Sequence, residues 1–163
     1  MSHAPARYRF LDKSADYARL AQELEGLLAG ERDLIANAAN TAALLYGALP
    51  EVNWAGFYFL RGGELVVGPF QGQPACVRIK LGKGVCGTAA RERRTLIVPD
   101  VQAFPGHIAC DAASRAEIVV PLIAAQRLVG VLDVDSPRPG RFDREDATGL
   151  ERLAHMFVAA SNA

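Results

Sequence analysis

The stretch Asn53–Phe70, NWAGFYFLRGGELVVGPF, decides how the rest of the chain is read. Its two halves are rich in aromatic and branched residues, which favour extended backbone over helix. Between them, Arg61-Gly62-Gly63 supplies the glycines a tight hairpin turn wants, because glycine reaches positive φ at little steric cost. Two strands joined by so short a link run antiparallel. A second pair lies further along, Glu117–Ile123 (EIVVPLI) and Leu128–Val134 (LVGVLDV), connected through Ala124–Arg127. Cys76–Leu81 reads as a short strand, and Thr95–Val98 as another, ended by Pro99. About six strands result.

Helical spacing occupies the two ends. Tyr17, Leu20, Leu24, Leu27 and Leu28 recur at intervals of three and four, as do Leu34, Ile35, Ala38 and Leu45, and Gly30 divides them into two helices. Ser14 offers a partial capping signal at the start. From Asp143 to about Ala160, Leu150, Leu153, Ala154, Phe157 and Val158 share one face of an amphipathic helix. A shorter helix is expected over Gly84–Arg93. The expected architecture is α+β: a central antiparallel sheet with the N- and C-terminal helices packed on one face. Its other face is left to the loops of 71–115, where function is expected. Residues 1–13 read as a variable tail and 14–163 as a single domain.

The 163 residues carry 18 Lys+Arg and 18 Asp+Glu, so no global field draws the chain to nucleic acid or an anionic membrane. The N-terminus has no apolar signal-like core, and no stretch approaches the roughly 20 apolar residues a membrane span needs. The expected compartment is the cytoplasm, where thiols stay reduced. Cys76, Cys86 and Cys110 are widely spaced and form no C-x-x-C pair, which argues against a structural disulfide framework or a zinc ribbon. Their importance would lie in reactivity.

Gly82-Lys83-Gly84-Val85-Cys86-Gly87 fits the dinucleotide pattern G-x-G-x-x-G, with Asp100 near the distance of a ribose-binding acid. The context contradicts that reading, because hairpins rather than βαβ units surround it. It reads instead as a turn into a helix N-terminus, whose free N–H groups could receive a carboxylate.

Six blocks in order carry a family signature. They are VNWAGFY (52–58), LVVGPFQG (65–72), ACVRI (75–79), GKGVCGTA (82–89), GHIACDAAS (106–114) and GVLDVDS (130–136). Together they resemble the free methionine-R-sulfoxide reductases, a GAF-fold family, over roughly residues 14–160. The resemblance implies a GAF-like sheet, a homodimer, free methionine-R-sulfoxide as substrate, thioredoxin as reductant, and no metal or organic cofactor. It points to Cys110 as the attacking thiol and Cys76 as the resolving one. It also places Glu117, Asp133 and Asp135 in the substrate pocket, with Trp54 and Tyr58 as its walls.

The residues can be weighed beside that resemblance. Sulfoxide reduction needs a thiolate, a second thiol within reach of it, and an acid near the departing oxygen. Cys110 lies in the polar loop His107–Asp111, where partial exposure would favour reactivity, and His107 could lower its pKa. Cys86 could relay or resolve, or simply pack in the core; the order of Cys76 and Cys86 stays open. Asp133 and Asp135, two apart on a strand, project from one face. Trp54 and Tyr58, four apart, do the same, although core packing is the usual explanation of such aromatics. Two rival readings remain: a ligand-sensing module without catalysis, and a zinc site from Cys76, Cys86, Cys110 and His107.

Overall fold

Antiparallel pairing runs through the whole sheet. The computed structural model describes residues 9–107, 110 and 112–163. The first eight residues of the expected tail, and Ile108, Ala109 and Asp111 of the loop around Cys110, lie outside them. In chain order the elements are α1 (Lys13–Leu28), α2 (Leu34–Ala48), β1 (Trp54–Arg61), β2 (Glu64–Gly72), β3 (Arg78–Lys80) and α3 (Gly84–Glu92). There follow β4 (Leu96–Val98), β5 (Ala116–Ala124), β6 (Arg127–Ser136) and α4 (Arg144–Ala160). The six strands are arranged β3-β2-β1-β6-β5-β4. The two hairpins therefore meet along β1 and β6, which pair antiparallel from Trp54↔Asp135 to Phe59↔Gly130. Gly62 and Gly63 take the positive φ values, 59° and 85°, that the first hairpin turn requires.

Side-chain alternation divides the sheet into two faces. Ala55, Phe57 and Phe59 of β1, Ile118, Val120 and Leu122 of β5, and Leu132 and Val134 of β6 pack with α1, α2 and α4 in one core. Trp54, Tyr58, Val119 and Val131 point the other way and join α3 through Val85, Cys86, Ala89 and Ala90. Burial on both faces explains why β1 and β5 read as nearly unbroken apolar runs. A slip of one residue would exchange the faces, so the pattern pins the register.

Boundaries depart from the sequence reading where polar side chains intervene. The cap of α1 is Asp12, whose carboxylate accepts from the Ala15 N–H at 3.2 Å, so the helix starts before Ser14. Cys76 stays outside β3, because its segment is tied to Cys110 by a disulfide instead. Thr95 is outside β4, its hydroxyl donating to Glu151 on α4 at 2.6 Å. Asp100 caps a 3-10 turn, Val101–Ala103, by accepting from the Gln102 N–H, so the supposed ribose acid has a local structural task.

One buried carboxylate ties the two ends of the chain together. Asp146 in the first turn of α4 is fully buried and accepts from Tyr17 Oη at 2.8 Å and Lys13 Nζ at 2.7 Å, both on α1. It also accepts from the Asp143 backbone N–H at 2.9 Å, completing a capping box, and lies 3.4 Å from the buried Arg141 guanidinium. Arg141 in turn donates to the Pro50 carbonyl just before β1. Removing one member leaves the others buried and unmatched. Asp146→Ala is expected to lower the unfolding free energy by about 3 kcal/mol. Urea titration measures this, and a loss no larger than that of the exposed cap variant Asp143→Ala, about 1 kcal/mol, would contradict it.

Candidate active site

Register alone gathers the acids. On the α3 side of the sheet, Trp54 of β1 stands opposite Asp135 of β6, and Asp135 stands opposite Glu117 of β5. One step along the same face, Asp133 faces Gly56 and Val119. Gly56 cannot carry a side chain, since a Cβ there would run into Phe70. The gap lets Phe70 stack on Trp54, with ring centroids 5.1 Å apart, and brings Trp54 to 5.9 Å from Tyr58. Trp54, Tyr58, Glu117, Asp133 and Asp135 line one pocket, together with Cys86, Cys110, His107, Ser114 and Lys83. Cys110 and all five expected substrate residues therefore meet.

The three acids are crowded and poorly solvated. Burial, then the charge of Asp133, pushes the Glu117 carboxyl well above its ordinary range. Burial, then Asp135, does the same to Asp133, whose Oδ1 finds no hydrogen-bond partner. Both side chains therefore favour the protonated form, in which a carboxyl donates. Cys86 in the first turn of α3 brings its Sγ to 3.6 Å from Glu117 Oε1. Burial and the neighbouring acids raise its thiol well above the ordinary value, so it is held neutral. Tyr58 is raised for the same reasons.

Cys76 and Cys110 are joined in a disulfide, their Cα atoms 5.5 Å apart across 34 residues of chain. Both are half-buried, whereas Cys86 is free and buried. The pocket aromatics hold the segment that carries Cys76. Trp54 Nε1 donates to the Gln73 carbonyl and the Tyr58 hydroxyl donates to the Cys76 carbonyl, each at 3.1 Å. These polar ends were not evident from sequence, where both rings looked like walls or core. Ser114 is a further pocket residue that spacing did not single out; it is buried and accepts from Asn53 Nδ2 at 3.2 Å.

The four-ligand zinc set is not assembled, because two of its sulfurs are bonded to each other. Among the described residues, Cys86, Glu117 and Asp133 form a group close enough to hold a metal ion, with candidate ligand atoms within 4.8 Å of one another. His155 is exposed on α4 and lines no part of this site.

The fold and its pocket define a GAF domain, and the GAF family model matches residues 17–160. The chain is 52% identical over 143 residues to the free methionine-R-sulfoxide reductase of Escherichia coli, covering 88% of this chain and 87% of that one. Protein YtsP of Bacillus subtilis is 57% identical over 151 residues, covering 91% and 93%. The structure of the free methionine-R-sulfoxide reductase from Neisseria meningitidis in complex with its substrate superposes with a TM-score of 0.90 at 44% identity, over 97% of this chain and 95% of that one. The chain belongs to the free methionine-R-sulfoxide reductase family, a family of oxidoreductases acting on sulfur.

The raised carboxyls have a consequence for stability. Glu117 and Asp133 bind protons more tightly folded than unfolded, above the ordinary values of 4.5 and 3.8. The folded state therefore holds more protons in the window above those values, and stability falls as pH rises through it. Asp133→Asn removes one of these groups. Its thermal midpoint is expected to exceed that of the unsubstituted protein by more at pH 7 than at pH 4. A variant less stable at pH 7 would contradict the crowding described.

Proposed function

We propose that this protein reduces free methionine-R-sulfoxide to methionine, with Cys110 as nucleophile and Cys76 as resolving thiol. The observation that carries the reading is a disulfide between two half-buried cysteines, one of which lines a pocket containing buried, protonated carboxyls. The substrate named for the similar E. coli and N. meningitidis proteins supports it.

In the reduced enzyme, the Cys110 thiolate attacks the sulfoxide sulfur while Glu117 or Asp133 protonates its oxygen. The oxygen passes to Cys110 as a sulfenic acid and methionine leaves as the thioether. The Cys76 thiolate then attacks Cys110 Sγ, expelling the hydroxyl as water after a second proton is supplied. One sulfoxide and two thiols thus become one thioether, one disulfide and one water. An external dithiol, proposed to be thioredoxin, restores both thiols by exchange. Asp135, half-buried at the pocket's edge, is proposed to bind the substrate ammonium. Trp54 and Tyr58 enclose the methyl and sulfur, and keep Cys76 in place through their carbonyl contacts. Cys86, held neutral, is proposed as an auxiliary donor or relay rather than the attacking group.

The proposed setting is a cytoplasmic homodimer with 14–163 as one domain. No described helix is long and apolar enough to cross a membrane. The exposed Leu27, Ile35 and Tyr46 on α1 and α2 offer the apolar area that pairing would cover.

A thioredoxin-coupled assay following NADPH oxidation tests the reading. Free methionine-R-sulfoxide is expected to turn over and the S-epimer not. Cys110→Ser is expected to lose at least about 1000-fold, as removal of a covalent nucleophile does in other enzymes. Turnover that survives this substitution moves the nucleophile to Cys86 or Cys76. A folded, reduced protein with no turnover removes the enzymatic reading.

A further inference from the structure

Three side chains able to ligate a metal converge from three different elements. Cys86 sits in the first turn of α3, Glu117 on β5 and Asp133 on β6, at 4%, 7% and 5% exposure. One sulfur and two carboxyl oxygens lie within 4.8 Å of one another. The β5–β6 register sets Glu117 and Asp133 on the same face of the sheet. Gly87 lies against the Lys80 carbonyl so closely that no Cβ would fit, which seats α3, and Cys86 with it, over that face. The cluster is therefore carried by a helix and two paired strands rather than by loops, and its geometry is fixed in advance.

Two separate observations give this cluster the character of a metal site. Cys86 Sγ lies 3.6 Å from Glu117 Oε1. Zinc–sulfur and zinc–oxygen bonds of about 2.3 and 2.1 Å, set at a tetrahedral angle, place sulfur and oxygen about 3.6 Å apart. Independently, Asp133 Oδ1 is buried without a hydrogen-bond partner while its side chain lines the pocket, an unmet demand that a cation answers. The sulfur decides which kind of cation. A thiolate beside two carboxylates suits a borderline-soft ion such as zinc, whereas magnesium and calcium take ligand sets made of oxygen. Three protein ligands leave a fourth position open, and the cavity of about 50 Å³ has room for the water that fills it.

We propose that Cys86, Glu117 and Asp133 bind a thiophilic divalent cation, with zinc the best match. The ion displaces the thiol and carboxyl protons, and its two charges relieve the repulsion among the crowded acids. This set differs from the combination of Cys76, Cys86, Cys110 and His107, because it asks nothing of the two bonded sulfurs. The site does not depend on the function proposed above. Given that function, the ion occupies the groups that protonate the sulfoxide oxygen, so it acts as an inhibitor and not as a cofactor.

The disulfide form of the protein isolates the site, because with Cys76 and Cys110 bonded to each other only Cys86 can supply a thiolate. Cobalt(II) serves as the spectroscopic probe, and zinc is followed by its displacement of cobalt and by titration calorimetry. A single equivalent of cobalt is expected to bind with a thiolate-to-metal charge-transfer band in the near ultraviolet. Zinc should displace it, and a large excess of magnesium or calcium should leave it in place. Cys86→Ser is expected to abolish the band. Asp133→Asn, whose fold is expected to gain stability at neutral pH, keeps the thiolate. It should weaken zinc binding by at least about tenfold, since even the outer partners of metal ligands cost that much. Absence of stoichiometric binding, a band that survives Cys86→Ser, or an unchanged zinc affinity in Asp133→Asn would overturn the site. Each of those results would leave the reductase reading standing, because the measurement involves no turnover.

Discussion

Three carboxyl groups share one poorly solvated patch of sheet, and the rest of the site is arranged around that crowding. Asp133 and Asp135 sit two apart on β6, and the β5–β6 register brings Glu117 opposite Asp135. In water such a cluster would shed its protons; here burial and mutual repulsion keep Glu117 and Asp133 protonated. The arrangement disfavours folding near neutral pH and is tolerated because the opposite face of the same strands supplies a continuous apolar core under three helices. The sheet is therefore a partition, with cohesion on one side and chemistry on the other.

The same environment divides the thiols. Cys86 lies within reach of Glu117 and Asp133, where a negative sulfur is penalised by desolvation and by charge. Cys76 and Cys110 are half-buried, more open to solvent than Cys86, and close enough to bond. A thiol needed as a thiolate and a carboxyl needed as an acid cannot share one apolar, acid-rich niche at the same pH. The site keeps the two apart in environment, with the Cys76 carbonyl held by the Tyr58 hydroxyl and Glu117 and Asp133 sunk in the sheet.

Much of the fold was legible because local signals agreed. The Gly62-Gly63 turn, the apolar strand runs and the helical spacing at both ends each identify an element that forms. The shared face of Asp133 and Asp135 follows from strand geometry alone. Other features depend on partners distant in sequence. Nothing in the spacing predicts that Glu117 meets Asp135, that Cys86 turns toward Glu117, or that Gly56 opens room for Phe70 over Trp54. The pairing of Cys76 with Cys110 came from family resemblance, since 34 intervening residues carry no geometric signal of it. The polar ends of Trp54 and Tyr58 were overlooked because an aromatic in an apolar run looks like core until its hydrogen-bond partner is known. Helix α1 begins at Lys13 because the carboxylate of its cap, Asp12, captures the Ala15 N–H, a contest that the Ser14 signal could not reveal.

The central claim is that the half-buried Cys110, and not the buried Cys86, attacks the sulfoxide. Trapping the intermediate tests it directly. Reduced Cys76→Ser protein, which cannot resolve through Cys76, is mixed with one equivalent of free methionine-R-sulfoxide and dimedone, and the modified peptide is identified by mass spectrometry. The account predicts the sulfenic-acid adduct on Cys110, with Cys86 unmodified. An adduct on Cys86 with Cys110 still reduced would contradict it.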